Sequence, residues 1–258
     1  MLEGSQAEDT LAKIKVVVLD NDDCRTRAIS PDPARYFAAV LDALNHCGPT
    51  GGPVTMQTWE PLHREYWYAG HCIYDMAAGR FDVNAHHMFS HFNRALSPDA
   101  FVHDTDSTAA INALHGNILV CSDASTDWTR ASLRRGGVSD DIPTFCRDHG
   151  GIWWPLKSNK NLQRQRMAQR FASNLLGENV EPEEMLWIDD SSGALRAVTA
   201  FGSVALHNHW GHNHPGQPAR AHSDEFDFNA DHLGTWLTRH APQLPNFPGL
   251  RELAAKPA

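Results

Sequence analysis

The chain has 258 residues, 41% of them hydrophobic, and a formal net charge of −9 at pH 7. This acidic balance argues against a nucleic acid polymer as the main partner, because phosphate backbones favour basic surfaces. No apolar run approaches the ~20 residues of a membrane span, and the polar residues 1–10 do not resemble a secretory signal. The five cysteines are scattered without a Cys-x-x-Cys pair, which predicts reduced thiols and a cytoplasmic location.

The first predicted strand is the unbroken apolar run at residues 16–19. Short β-branched runs of this kind are typical of a strand that is buried on both faces of a parallel sheet. The run ends abruptly at the carboxylates of Asp20, Asp22 and Asp23. Because ligands of open α/β sheets bind beyond the carboxyl ends of the strands, Asp20 and Asp22 are candidate site residues. The structural alternative is an acidic turn after a core strand.

The next segment, residues 25–100, contains no convincing buried strand and predicts a helical insert. The predicted helices cover residues 33–46, 61–78 and 82–96. Proline-containing turn signals stand at both ends of the insert. The predicted domains are a core of residues 1–28 and 99–240, a helical cap of residues 29–98 and an irregular tail of residues 241–258.

Strands and helices alternate after residue 104. The predicted strands cover residues 118–121, 152–154, 185–188 and 204–206. The predicted helices cover residues 107–116, 125–136, 160–176, 193–200 and 229–239. This alternation predicts an α/β fold with a doubly wound, mainly parallel sheet and an inserted helical domain.

Polar side chains follow two of these later strands. Ser122 ends one strand, and Asp189 and Asp190 end another, while Lys157 and Lys160 precede a long predicted helix. Each of these residues has a structural alternative as a turn, a helix cap or a solvated helix start. Their common position along one parallel sheet favours a single functional site.

The order of these motifs resembles the haloacid dehalogenase superfamily, and within it the phosphatases with a helical C1-type cap inserted after the first motif. The resemblance spans about residues 14–207, and residues 185–202 are the most family-like stretch. The first motif departs from the family pattern at two positions. Cys24 stands where threonine is usual, and Arg25 replaces a glycine.

The resemblance implies the catalytic roles. Asp20 is the nucleophile, which forms an aspartyl-phosphate, and Asp22 is the general acid and base. Ser122 hydrogen-bonds the transferring phosphoryl group, and Lys160 offsets its charge, with Lys157 as the competing lysine.

The resemblance also implies a Mg²⁺ site. The expected side-chain ligands are Asp20 and Asp189, with Asp190 binding directly or through water and Asp22 contributing its backbone carbonyl. Carboxylates that face an anionic substrate require a cation, and Mg²⁺ prefers oxygen ligands.

Histidines and aromatic residues are further candidates for binding roles. Four of the sixteen histidines fall in a short stretch, His207, His209, His212 and His214, and imidazole suits Zn²⁺ or Ni²⁺. A solvated loop near the active-site end is the favoured interpretation of this stretch. Aromatic residues of the insert are able to stack on a planar substrate, but packing within the cap is favoured. The residues in question are Trp59, Tyr66, Trp67, Tyr68 and Tyr74. His87 and His91 are one helical turn apart, which would allow them to face the active site, but a position on the helix surface is favoured.

The sequence therefore predicts a cytoplasmic, Mg²⁺-dependent phosphatase whose substrate is a small phosphorylated metabolite, without nucleic acid or membrane partners. One alternative is a non-catalytic protein that keeps this fold for binding or regulation. Another is a histidine-rich metal-binding protein. The sequence predicts neither the identity of the substrate nor the oligomeric state.

Overall fold

A computed structural model describes residues 1–21, 25–28, 34–68, 73–95, 101–149, 162–210 and 221–256. Its strands are β1 Val16–Leu19, β2 Thr26–Ala28, β3 Phe101–His103, β4 Ile118–Ser122, β5 Thr144–Cys146, β6 Met185–Asp189, β7 Val204–Asn208 and β8 Phe228–Ala230. Its α-helices are α1 Gly4–Lys13, α2 Ala34–His46, α3 Met56–Tyr68, α4 Ile73–Phe81, α5 Ala85–Ala95, α6 Thr108–Asn112, α7 Thr126–Arg135, α8 Leu162–Leu176, α9 Ser192–Phe201, α10 Leu233–His240 and α11 Pro248–Ala254.

The main sheet has the strand order β5-β4-β1-β6-β7-β8, and every neighbouring pair is parallel. β1 lies between β4 and β6, as a strand of four consecutive buried residues should. The order reverses at β1, because β4 and β5 extend the sheet to one side and β6 to β8 to the other. The predicted α/β class with a doubly wound parallel sheet is confirmed.

The two faces of the sheet contact separate apolar clusters. Val17 and Leu19 belong to a cluster that includes residues of α6, α7, α10 and α11. Val16 and Val18 belong to a second cluster, with residues of α8 and α9. Alternate residues of a strand point to opposite faces, and both faces of this sheet are covered by helices. Each of the three valines is therefore fully buried, which stabilises the folded state by roughly 1.5–3 kcal/mol per side chain.

The edge strands differ from the sequence prediction. The strand next to β4 is β5, Thr144–Cys146, whereas the predicted strand at residues 152–154 lies outside the described residues. At the other edge, residues 228–230 form β8, so the helix predicted from residue 229 begins only at Leu233. Both strands have three residues, too few to show an apolar run or a clear alternation.

Both terminal segments contain helices. The polar start forms helix α1, whose Leu11 is buried in the core. The prediction of an irregular end is wrong, because a 3₁₀ turn at Ala241–Gln243 is followed by helix α11. Pro248 stands in the first turn of α11, where its missing N–H costs nothing. Leu244 and Phe247 are buried against the core, which holds this segment in place.

The insert contains four helices among its described residues, α2 to α5. Of the single helix predicted at residues 61–78, residues 61–68 belong to α3 and residues 73–78 to α4, and residues 69–72 lie outside the described part of the chain. The insert has an apolar cluster of its own, with Trp59 fully buried and Tyr74 packed against Phe89 at 5.0 Å between ring centroids. Packing within the insert is thus the role of these two aromatic residues. Tyr66, Trp67 and Tyr68 have side chains outside the described part of the chain.

Two short strands, β2 and β3, pair antiparallel where the chain leaves the core and returns to it. Ala28 opposes Phe101 in this pair, so the two ends of the insert lie side by side. The sequence predicts no buried strand in residues 25–100, and β3 in this pair is only partly buried. The three residues of β2 carry no apolar run that would mark them.

Within the described residues, the structure contains no helix that is both long and apolar enough to cross a membrane.

Candidate active site

The registers of the central strands bring two predicted site residues together. Leu19 pairs with Ile188, so the next residues, Asp20 and Asp189, are neighbours at the carboxyl edge of the sheet. The backbone N–H of Asp20 donates to the Ile188 carbonyl at 2.9 Å, which extends the parallel ladder to this point. Both aspartates are almost completely buried.

Asp190 completes a cluster of three carboxylates. Oxygen atoms of Asp20, Asp189 and Asp190 lie within 4.8 Å of one another. Three ionised carboxylates this close would repel one another strongly without a cation. Around an ion with six oxygen ligands at about 2.1 Å, neighbouring oxygens are about 3.0 Å and opposite ones about 4.2 Å apart, so three oxygens within 4.8 Å of one another are close enough to converge on one Mg²⁺ ion. The all-oxygen donor set also suits this ion.

Hydrogen bonds hold the turn that carries Asp189 and Asp190. Asp189 Oδ1 accepts the backbone N–H of Ser191 at 2.9 Å, and Ser191 is the N-cap of α9. The Asp190 carbonyl accepts Nε2–H of His207 at 2.9 Å. Because a carbonyl only accepts hydrogen bonds, the proton of His207 is on Nε2 in this contact. The turn between β6 and α9 is therefore held from both sides.

Ser122 ends β4 and is fully buried, at the same edge of the sheet. Its Oγ accepts the backbone N–H of Ala124 at 3.0 Å. The hydroxyl thus takes part in a local turn, which was the structural alternative for this residue. The contact also fixes its position at the carboxyl end of β4.

Several predicted residues lie outside the described part of the chain. These are Asp22, Cys24, Lys157, Lys160, His212 and His214. Their roles stay predictions.

Arg25, which replaces the glycine of the family pattern, is buried at the junction of core and insert. Its Nη2 donates to the carbonyl of Asp104 at 2.8 Å, and the backbone N–H of Asp104 donates to the Arg25 carbonyl at 2.8 Å. These bonds join the strand that leaves the core to the strand that returns to it. Arg25 therefore fixes the base of the insert.

The prediction of a solvated histidine loop is wrong for His207 and His209, which are almost completely buried. β7 continues to Asn208, so His207 lies within the sheet, paired with Asp189. The rings of His207 and His209 are 4.2 Å apart, and His209 Nε2 contacts Asn229 Oδ1 at 3.1 Å. Among the described residues, the only group with metal-ligand spacing is the carboxylate cluster, and it contains no histidine. On the insert, His91 contacts Asp42 at 2.8 Å.

Two buried arginines at this edge were missed by the sequence analysis. Arg164 Nε–H donates to Cys121 Sγ at 2.9 Å, and its Nη1 donates to Asp123 Oδ1. Arg147 Nη2 lies 3.6 Å from the same Asp123 oxygen, and its guanidinium is 5.9 Å from the ring of Tyr74 in the insert. Arginines of this kind carry no local sequence signal, because their burial depends on residues distant in the chain.

The electrostatic state of Arg164 follows from these contacts. Burial alone would lower the pKa of its guanidinium, but Asp123, the Cys121 sulfur and Asp20 raise the pKa above its ordinary value. Arg164 is therefore a permanent positive charge inside the protein.

No protein-family model matches the chain, and no curated protein matches it. Solved structures do match. A protein from Bacteroides fragilis described as a putative haloacid dehalogenase-like hydrolase is 13% identical, with a TM-score of 0.55 over 86% of this chain and 99% of that one. A protein from Haemophilus somnus described as a predicted phosphoglycolate phosphatase is 12% identical, with a TM-score of 0.55 over 88% and 98%. CbbY from Rhodobacter sphaeroides, solved in complex with phosphate, is 14% identical, with a TM-score of 0.55 over 86% and 95%.

These likenesses cover 95–99% of each matched chain and 86–88% of this one. The chain therefore shares the fold of these structures, an α/β core with a helical insert.

Proposed function

We propose that the protein is a Mg²⁺-dependent phosphatase, which hydrolyses a small phosphorylated metabolite through an aspartyl-phosphate at Asp20. The observation that carries the proposal is the cluster of Asp20, Asp189 and Asp190 at the carboxyl edge of the sheet. The fold shared with a protein described as a predicted phosphoglycolate phosphatase and with a phosphate-bound structure supports the same reaction class.

The proposed reaction has two steps. A carboxylate oxygen of Asp20 attacks phosphorus, the ester P–O bond breaks, and Asp22 protonates the leaving alkoxide oxygen. Asp22, now a carboxylate, then takes a proton from a water molecule that attacks the phosphoryl group. The P–O bond to Asp20 breaks, which releases inorganic phosphate and restores both aspartates.

The proposed roles of the other residues are to bind the metal ion and to neutralise the charge of the phosphoryl group. Asp20, Asp189 and Asp190 would hold Mg²⁺ together with the Asp22 carbonyl, and the bound ion supplies charge neutralisation for the anionic substrate. Ser122 is proposed to donate a hydrogen bond to the phosphoryl group, and Lys160, or in its place Lys157, to offset the charge.

Hydrolysis of p-nitrophenyl phosphate tests the proposal. We expect Mg²⁺-dependent release of p-nitrophenol that is lost on EDTA treatment and restored by excess Mg²⁺. Activity that survives EDTA would contradict the Mg²⁺ assignment. A protein that binds Mg²⁺ and phosphate without any turnover, also on a panel of phosphorylated metabolites, would favour the non-catalytic alternative.

A cytoplasmic location belongs to the same proposal. Cys47 and Cys146 are free thiols, as expected in a reducing compartment. Burial raises the pKa of Cys146 to about 12, so this thiol is protonated and unreactive at neutral pH.

We propose that residues 29–98 form a cap that selects the substrate. The insert contacts the core near the candidate site: the backbone N–H of Ser125 donates to Asn93 Oδ1 at 3.2 Å, and Arg147 lies under Tyr74. A lid in this position excludes water from the reacting groups and adds contacts to the substrate.

Replacement of residues 29–98 by a short Gly/Ser turn tests this role. Ala28 and Phe101 are opposed, so a few residues suffice to join β2 and β3 as a hairpin. Among the described residues, the apolar clusters on both faces of the sheet contain none from the insert, so the core should fold. We expect the truncated protein to hydrolyse p-nitrophenyl phosphate but to lose its preference for the best metabolite. The measurement is the ratio of the two kcat/KM values, and an unchanged ratio in a soluble truncation would contradict a selective cap.

A further inference from the structure

Arg164 occupies an unusual position for a charged residue. It lies in the first turn of α8, and its side chain is only 2% exposed. Two residues further, on the same helix, Arg166 is exposed to solvent. Burial of a guanidinium group is costly unless charged or polar groups surround it. Its surroundings therefore indicate what Arg164 does.

The sheet register places Asp20 beside one of the Arg164 contacts. Leu19 pairs with Val120, so Asp20 follows in register with Cys121 on the neighbouring strand. Val18 and Cys121 belong to the apolar cluster on the α8 face, and alternation puts Asp20 on that face too. Neighbouring strands are about 4.8 Å apart. A guanidinium whose Nε is 2.9 Å from Cys121 Sγ is therefore a near neighbour of the Asp20 carboxylate.

Asp123 holds Arg164 in this place. It accepts a hydrogen bond from Arg164 and lies 3.6 Å from Arg147, so one carboxylate lies between two buried guanidinium groups. Asp123 is in register with Arg147, one position beyond the paired residues Ser122 and Cys146. The positive charge of Arg164 is thus fixed on the side of Asp20 that faces α8.

We propose that Arg164 is a positioning residue of the phosphatase site, a fixed internal cation that acts electrostatically on Asp20, weakens the binding of Mg²⁺ and strengthens the binding of the phosphoryl anion. The inference rests on the proposed function, since it assigns Asp20 to both the metal and the phosphoryl group. Its effect is distinct from that of a lysine that contacts the substrate, because Arg164 is held by the core itself. A cation near the metal site opposes a second cation and favours an anion, so the two ligands respond with opposite signs.

The test compares Arg164→Met with Asp123→Asn in the full-length protein. Removal of the positive charge should lower the Kd for Mg²⁺ and raise the inhibition constant for inorganic phosphate, each on the order of tenfold. Asp123→Asn removes a neighbouring negative charge at nearly constant shape, so both shifts should reverse. Mg²⁺ binding is measured by calorimetry on the metal-free protein, which needs no turnover. Phosphate is tested as an inhibitor of p-nitrophenyl phosphate hydrolysis.

Two further variants serve as controls. Arg166→Met makes the same chemical change at an exposed position of α8 and should leave both constants unchanged. Arg164→Lys keeps the charge and should restore most of the phosphate affinity that Arg164→Met loses. If Arg164→Met does not fold, Asp123→Asn decides the question, because it should raise the Kd for Mg²⁺ and lower the inhibition constant for phosphate, whereas Arg164→Lys should leave both constants close to those of the parent.

The outcomes separate the inference from the proposed function. Opposite shifts of the Kd for Mg²⁺ and of the inhibition constant for phosphate support the inference about Arg164. Parallel weakening of both ligands in Arg164→Met and Asp123→Asn would show a merely structural role and overturn it, as would unchanged constants in both. A parent protein that binds Mg²⁺ but hydrolyses no phosphate ester overturns the proposed function, while the Mg²⁺ titrations of the variants still decide whether Arg164 acts on the metal site. A parent that binds no Mg²⁺ overturns both.

Discussion

Asp20→Asn should abolish phosphatase activity, with a loss of at least about 10³-fold in kcat, because an amide oxygen does not form the aspartyl-phosphate. Excess Mg²⁺ should not restore the rate. The measurement is single-turnover and steady-state hydrolysis of p-nitrophenyl phosphate. Turnover close to that of the parent would remove Asp20 as the nucleophile.

The same substitution should leave the fold intact and alter its response to metal. Asp20 lies beside Asp189 and Asp190 but also near the Arg164 guanidinium, so the neutral amide removes one repulsion and one attraction in the metal-free protein. We therefore expect a Tm in EDTA close to that of the parent. The increase in Tm on addition of Mg²⁺ should be smaller than in the parent, because a ligand that binds only the folded state stabilises less when it binds weakly. A large loss of Tm in EDTA would indicate a structural role for the carboxylate.

Asp189→Asn should raise the Mg²⁺ concentration for half-maximal activity by roughly 10- to 100-fold, because one anionic ligand becomes neutral. The amide retains an oxygen that accepts the backbone N–H of Ser191, so the turn into α9 should survive. The measurement is activity as a function of Mg²⁺ concentration, and high Mg²⁺ should recover part of the rate. Recovery is what separates this variant from Asp20→Asn.

Asp227→Asn is a matched control for both aspartate variants. Asp227 also accepts a backbone N–H, that of Ala205 at 2.8 Å, but it precedes β8 and lies towards the amino ends of the strands. The Asp227→Asn substitution should change neither kcat nor the Mg²⁺ concentration for half-maximal activity. An unchanged Mg²⁺ requirement in Asp189→Asn, alongside a normal Asp227→Asn, would contradict the assignment of Asp189 as a metal ligand.

The central strands were predictable because a fully buried strand consists of consecutive apolar residues. Residues 16–19 are consecutive apolar residues since β1 has neighbours on both edges and helices on both faces. The same reasoning located β4, β6 and β7. β5 and β8 escaped it, because three-residue strands at the sheet edges take their structure from a neighbour. The end of the chain was misjudged for the same reason: Phe247 is buried only because the core offers a surface for it.

The candidate site was likewise predictable only in part. The order of Asp20, Ser122 and Asp189 along the chain predicted a common edge, because parallel strands of one sheet bring their carboxyl ends together. Burial of His207 was not predictable, since it requires β7 to extend past the apolar run into the histidine stretch. Nor does the sequence distinguish Arg164 from Arg166 on the same helix, because only the packing of α8 on the sheet buries one and exposes the other.

By itself, the sequence determined the α/β class, the helical insert and the carboxylates at the ends of the strands, because hydrophobic runs and the polar residues that stop them are local properties of the chain. The tertiary structure alone decided which of those residues share a site and which charges surround them. Strand register brings Asp20 within reach of Asp189 and Asp190 and next to Cys121, and helix packing then places Arg164 against that residue. Distances between side chains far apart in the sequence are set by the assembled sheet, and metal binding and electrostatics depend on those distances.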